Sequence, residues 1–355
     1  MFPHDPSIET YQLGDFTTQA GEIIPEAFIA YKTWGSPELP AIVYPTWFAL
    51  YSGDIVADNG WLIDVKHKGL NPEKYFIIVP ALFGNSQSSS PSNNKLGKDM
   101  PHTSFYDNVK AQHELVTKGL KIQKLFAVLG WSMGSATTFQ WAVAYPGMME
   151  KCVPFCGAAR TAHHNITFLR SLIMALELDP NFKNGDYPVD DQPQGGKAVF
   201  SAIYSSWGLS QAWYRQELFK SLGYATRQEF LDKFWTPLFE RKDANNLRHM
   251  LRTWIAGDIT CTPGKPFSHD PKLESRSSTE AYIQALNSIQ ARVLVVPCRT
   301  DLYFPPEDSE FEAEHMPQGS LYVMESIWGH FAGGPGLNPH DVADLDQAIA
   351  GFFAQ

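Results

Sequence analysis

Residues 128–136 read VLGWSMGSA. An apolar run closes on Gly130, Ser132 and Gly134 follow at intervals of two, and helix-forming sequence (133–145, MGSATTFQWAVAY) begins at once. A chain that turns from strand to helix in so few residues brings two stretches of backbone into contact. The positions two before and two after the bend must therefore be small. The residue at the bend is strained, and its side chain stands at the end of the strand beside the unpaired N–H groups of the helix N-terminus. Gly-x-Ser-x-Gly in a strand–turn–helix context is how a serine nucleophile is presented. A glycine-rich turn carrying an incidental serine reads the same over these nine residues, so the remaining sequence has to separate the two.

Short apolar runs recur along the 355 residues: 27–35, 41–47, 75–84, 124–132, 151–159, 291–299 and 321–326. Segments such as FIIV and VLVV are continuously apolar, as expected of strands covered on both faces. Helical sequence lies between them at 104–118, 133–145 and 339–353. Strands alternating with helices predict a mostly parallel sheet. The opening YQLGDFTTQAGEIIPEAFIAYKTWG (11–35) predicts an antiparallel pair at the sheet edge. From about 160 to 288 the rhythm breaks into helical, aromatic sequence without a convincing strand, which predicts a helical insertion. The serine-rich GNSQSSSPSNN (84–94) follows a strand and is either a plain connector or a rim of the site, because ligands gather at the carboxyl ends of such strands.

A serine hydroxyl needs a base to take its proton, and that base needs a carboxylate to hold it. In this topology the order along the chain is Ser, then Asp or Glu, then His. Asp301 follows the strand ARVLVVPCRT, and His330 lies in SIWGHFAGG, past LYVMES and before the last helix. Alone, Asp301 could be a turn former or helix cap and His330 a surface residue. Together, in order and each at a strand end, they form a catalytic set with Ser132. The oxyanion requires two backbone donors. The Met133 N–H, directly after the serine, is one; the loop after AIVYP supplies the other, at Trp47. Adjacent His163 and His164 point apart and have no partner at ligand spacing, so neither a metal nor another cofactor is expected.

The composition narrows the class. Apolar residues make up 44% and aromatics 13%, enough for a large core, and the net charge is −10. No basic run marks a nucleic-acid or anionic-membrane partner. The N-terminus has no basic head before an apolar stretch, and no run of about 18 apolar residues suggests a membrane span. Of four cysteines, Cys152 and Cys156 lie four apart while Cys261 and Cys298 are scattered, neither metal spacing nor a disulfide framework. Reduced thiols in a cytoplasmic protein are expected.

At this point the chain resembles the homoserine O-acetyltransferase family of the α/β-hydrolase fold. The resemblance is carried by AYKTWG (30–35), GWSMGSATTFQWAVAYPGMME (130–150), AARTAHHNITFLRS (158–171), ERKDANNLRHMLRTW (240–254), VVPCRTDLYFPP (295–306) and GHFAGG (329–334). It implies an α/β-hydrolase core of residues 1–159 and 289–355, a helical lid over 160–288, and Ser132, Asp301 and His330 as nucleophile, acid and base. It also implies a homodimer formed through the lid. Three departures bear on activity. The family's transferases carry H-A-L-T-G where this chain has PTWFALYSG (45–53), and G-G-S-M-G-G where it has LGWSMGS (129–135). They also place a lid arginine on the homoserine carboxylate, at a position that aligns with Phe200 here. A carboxylate left in an apolar pocket without its cation costs several kcal/mol. The expectation is therefore an esterase acting on short acyl esters, more like the ester-hydrolysing members of the family. O-acyl transfer from acyl-CoA to homoserine or another hydroxyl is the alternative. A binding protein on a dead hydrolase fold is disfavoured, because every triad member is present.

Overall fold

The computed structural model describes residues 7–48, 59–260 and 277–355. Its strands are β1 (Glu9–Thr17), β2 (Ile23–Trp34), β3 (Ala41–Val43), β4 (Phe76–Pro80), β5 (Leu125–Trp131), β6 (Met149–Phe155), β7 (Arg292–Val295) and β8 (Gly319–Leu321). They form one sheet in the order β1-β2-β4-β3-β5-β6-β7-β8. β1 pairs antiparallel with β2, and β2 antiparallel with β4, while all later neighbours are parallel. The edge pair and the parallel centre are as the sequence suggests.

Side chains alternate across this sheet, so each strand supplies two layers. Ile42, Ile77, Leu129 and Val153 join one hydrophobic cluster; Val43, Ile78, Val128 and Cys152 join the other. Both faces are dry, which is why the strands read as unbroken apolar runs. One face is covered by α1 (Phe105–Glu114) and α2 (Met133–Ala144), through Val109, Ala111, Phe139 and Trp141. The other is covered by the last long helix, Pro339–Phe353, through Leu345, Ile349 and Phe352.

Two elements differ from expectation. Helical sequence was expected over 104–118, but α1 ends at Glu114 and the chain passes into a π turn, Leu115–Gly119. The strand expected at 321–326 is β8, which shares only Leu321 with that run. Pro297 lies opposite and has no N–H to donate, so beyond Leu321 the ladder shrinks to a single Cys298–Met324 bridge.

Between β6 and β7 the described chain is helical: α3 (His163–Glu177), α4 (Gln194–Gly208), a run of short turns over 211–240, α5 (Ala244–Ile255) and α6 (Thr279–Asn287). Aromatic side chains fill its interior, and Phe200, Trp213, Phe230, Trp235, Phe239 and Trp254 are all buried. α6 belongs with the sheet, since Tyr282 and Leu286 pack in the cluster beneath it. Residues 84–94 fold against β2 beyond the end of β4. There the Ser88 and Ser89 hydroxyls accept from the Ala30 and Phe28 amides of β2, both at 2.9 Å.

Candidate active site

Ser132 sits between β5 and α2 with φ 59° and ψ −122°, a region that costs a non-glycine residue about 1–3 kcal/mol. Space explains its neighbours. A Cβ on Gly130 would lie 2.3 Å from the Gly134 carbonyl oxygen, and one on Gly134 would lie 2.6 Å from that of Pro45. The two glycines are therefore what lets strand, bend and helix pass one another, and the second also lets the loop after β3 press against the start of α2. This close approach sets the Pro45 and Thr46 carbonyls against Gly134, with Trp47 next in the chain and Met133 the first residue of α2. Neither amide donates to an acceptor among the described residues.

Asp301 lies on the loop after β7 and is buried. Its Oδ1 accepts from the amides of Tyr303 (2.8 Å) and Phe304 (3.3 Å), so it does form the turn that an aspartate in this position suggests. Its Oδ2 is 2.8 Å from His330 Nδ1. One carboxylate thus shapes the loop with one oxygen and holds the imidazole with the other. The proton must be on Nδ1 to make this bond, which leaves Nε2 for the cleft.

His330 follows β8 on a five-residue 3-10 turn, Gly329–Gly333. Gly329 has φ 61°, and a Cβ there would meet the Ser210 amide at 3.0 Å, so the turn abuts the end of α4. The imidazole stacks on the Trp131 indole (centroids 4.8 Å apart, 25°) and meets the Tyr303 ring edge-on (4.8 Å, 79°). The Trp131 N–H also donates to the His330 carbonyl at 3.2 Å. Aromatic faces exclude water from the His–Asp pair and strengthen its hydrogen bond.

Ser132 and His330 open on one cleft of about 400 Å3, mouth included. Trp47, Phe48, Tyr204, Trp235, Leu238, Phe331 and Pro335 line it, and the Tyr204 and Trp235 rings are 5.8 Å apart. No lysine or arginine lines it among the described residues. Phe200 stands behind the wall, buried, with its ring stacked on those of Tyr204 (5.9 Å) and Phe48 (6.3 Å). Burial pushes up the phenols of Tyr204, which lines the cleft, and of Tyr303, which packs on the His330 ring, so both are neutral. The described cysteines are free and buried; burial pushes Cys152 and Cys298 up to about 12 and Cys156 well above its usual value. None of them can supply a thiolate nucleophile near neutral pH. Cys261 and residues 49–53 of the PTWFALYSG stretch lie outside the described residues. No group of three or more His, Cys, Asp or Glu arranged to hold a metal occurs among the described residues, and His163 and His164 belong to no such cluster.

The structure thus brings Ser132, Asp301, His330, Trp47 and Met133 to one place. Sequence reasoning missed Trp131, the ring on which the histidine lies, and the lid aromatics of the cleft, Tyr204 and Trp235.

The family model for the alpha/beta hydrolase fold matches residues 66–335. An ethyl acetate hydrolase of Pseudomonas veronii is 31% identical, with 98% of this chain and 94% of that protein covered. The solved acetylester hydrolase of Corynebacterium glutamicum superposes with a TM-score of 0.88 at 28% identity, over 98% of this chain and 96% of that one. A homoserine O-acetyltransferase of Nostoc punctiforme matches at 26% over 92% of each chain.

Proposed function

The chain belongs to the alpha/beta hydrolase family, and we propose that it is a carboxylic ester hydrolase acting on acetate-type esters of simple alcohols through an acyl-enzyme on Ser132. The observation that carries this reading is the strained Ser132 opening on the same cleft, without lysine or arginine among its described lining residues, as a histidine held by a buried aspartate. Ser132 Oγ attacks the ester carbonyl carbon while its proton passes to His330 Nε2. The carbonyl oxygen becomes an oxyanion between the Trp47 and Met133 amides. When the tetrahedral species collapses, the C–O bond to the alcohol breaks and His330 returns the proton to the leaving oxygen. Water, deprotonated by the same imidazole, then attacks the acyl-enzyme and releases the acid. Asp301 stays ionised throughout and fixes the imidazole tautomer.

Acyl transfer to homoserine shares the first half of this route but needs a cation for the acceptor's carboxylate. The cleft lining is aromatic and aliphatic, and Phe200, which the family resemblance sets at the place of the transferases' lid arginine, is buried behind it. Water is therefore the better second nucleophile. Mass spectrometry of the chain mixed with an acetate ester, with and without homoserine, tests both halves. It should find an acetyl group on Ser132 that decays equally fast in both. Decay accelerated by homoserine would assign a transferase.

The helical segment between β6 and β7 serves as a lid and as the interface of a homodimer. Met174, Leu178 and Val199 on and after α3 and α4 are 57%, 76% and 52% exposed, an apolar face that supports such pairing. A Leu178→Asp variant should then run as a monomer in light scattering. No described helix is long and apolar enough to cross a membrane, and the free thiols support a cytoplasmic setting.

A further inference from the structure

The turn Thr236–Glu240 stands between two cavities. On its inner side is the catalytic cleft. On its outer side is a second cavity of about 510 Å3, bounded by the rings of Tyr224 and Phe234, by Pro237, and by Lys233 and Arg241. Leu238 lines both, and no other residue is common to the two. The charge of Lys233 is matched by Glu229 at 2.6 Å, and Tyr224, Phe234, Pro237 and Leu238 supply the apolar part of the lining.

The direction of a bound ester follows from the chemistry of the cleft. The carbonyl oxygen must face the Trp47 and Met133 amides, on the wall where Phe48 stacks on Tyr204 at 5.9 Å. The alcohol oxygen must face His330, which protonates it. The wall on that side is continuous with Leu238, because Trp235, one turn earlier, stands edge-on to Phe331 at 5.3 Å, and Phe331 follows His330 in sequence. The leaving alcohol, held at His330, therefore runs along Phe331 and Trp235 toward Leu238, while the acyl group takes the remaining direction at the carbonyl carbon.

We propose that Leu238 sets alcohol specificity: its side chain caps the alcohol end of the cleft, and the outer cavity lies directly behind that cap. This rests on the ester-hydrolase reading above. Shortening Leu238 joins the two spaces and lets an unbranched alkyl alcohol reach the faces of Phe234 and Pro237, whereas the acyl group, which takes another direction from the carbonyl carbon, gains no room. Each methylene that finds an apolar wall instead of a block is worth a factor of about ten or more.

The test compares kcat/KM for ethyl, butyl and hexyl acetate and for ethyl hexanoate in wild type, Leu238→Ala and Leu238→Val. The wild type should lose efficiency as the alcohol lengthens. Leu238→Ala should raise the hexyl-to-ethyl acetate ratio about tenfold or more, Leu238→Val by less, with the ethyl hexanoate-to-ethyl acetate ratio unchanged in both. The Val variant keeps the test valid if the Ala variant fails to fold. Unchanged ratios, or a gain confined to ethyl hexanoate, overturn the assignment of Leu238. A wild-type chain that cleaves none of these esters refutes the hydrolase reading itself, a separate outcome.

Discussion

Glu312 gives the folded chain a pH dependence that can be worked out from its surroundings. It lies on the helix Pro306–Glu314, 1% exposed. Its Oε1 accepts from the Ala159 amide at 2.7 Å and the Tyr282 hydroxyl at 2.8 Å, whereas Oε2 has no partner among the described residues. Burial pushes this carboxyl up to about 8, against the pull of those two hydrogen bonds and Arg160, with Asp308 adding to the rise. In the unfolded chain it titrates near 4.3, approximately. Between the two values the folded chain keeps a proton that the unfolded chain has released. Stability is thus greatest below the lower value and falls as pH rises toward the upper one. From pH 5 to pH 9 the loss is about 4 kcal/mol, at 1.36 kcal/mol per pH unit. With an unfolding entropy of about 2.1 cal/mol/K per residue, a chain of 355 residues shifts by about 5 °C for that amount. Glu312→Gln keeps the shape and an acceptor for both donors but cannot ionise. Thermal unfolding followed by circular dichroism at pH 5, 7 and 9 should show the variant gaining about 5 °C on the wild type across that range. Parallel curves for the two proteins would refute the reasoning.

Three further outcomes follow from the site. Ser132→Ala should abolish the acetyl adduct and ester turnover while leaving the melting temperature within about 1 °C; turnover near the wild-type rate would place the nucleophile elsewhere. Asp301→Asn keeps the oxygen that accepts from Tyr303 and Phe304 but holds the wrong imidazole tautomer, so kcat should fall about 10^4-fold with the fold intact. A loss below tenfold would mean that another group orients His330. Gly130→Ala puts a methyl 2.3 Å from the Gly134 carbonyl oxygen and should cost about 3 kcal/mol or more, read as a drop of about 4 °C; an unchanged melting temperature would refute the close-approach argument.

What could be read from the sequence was whatever depends on local pattern. The strands announce themselves because both sheet faces are dry, and Ser132, Asp301 and His330 because each follows a strand end in a fixed order. The helix Pro306–Glu314 escaped for the opposite reason. Its buried stripe is Pro306, Ser309 and Glu312, so it shows no apolar periodicity. Trp131 is the variable residue of a Gly-x-Ser motif, and nothing in that motif says that a histidine some two hundred residues later will lie on its ring. Tyr204 and Trp235 are two among many lid aromatics, and which of them reach the cleft depends on how the helices fold back. The serine-rich stretch looked like a connector or a rim because its hydroxyls gave no sign that they would replace backbone partners along β2.

That no lysine or arginine among the described residues lines the cleft also bears on how a turnover ends. Hydrolysis leaves a carboxylate between aromatic walls, in a chain whose net charge is −10. Apart from the Trp47 and Met133 amides, an anion there meets no cationic side chain among the described residues, so it is better off in bulk water than where it was made. The same bareness that deprives an amino-acid acceptor of its anchor thus expels the acid, and free acetate should compete only feebly with incoming ester.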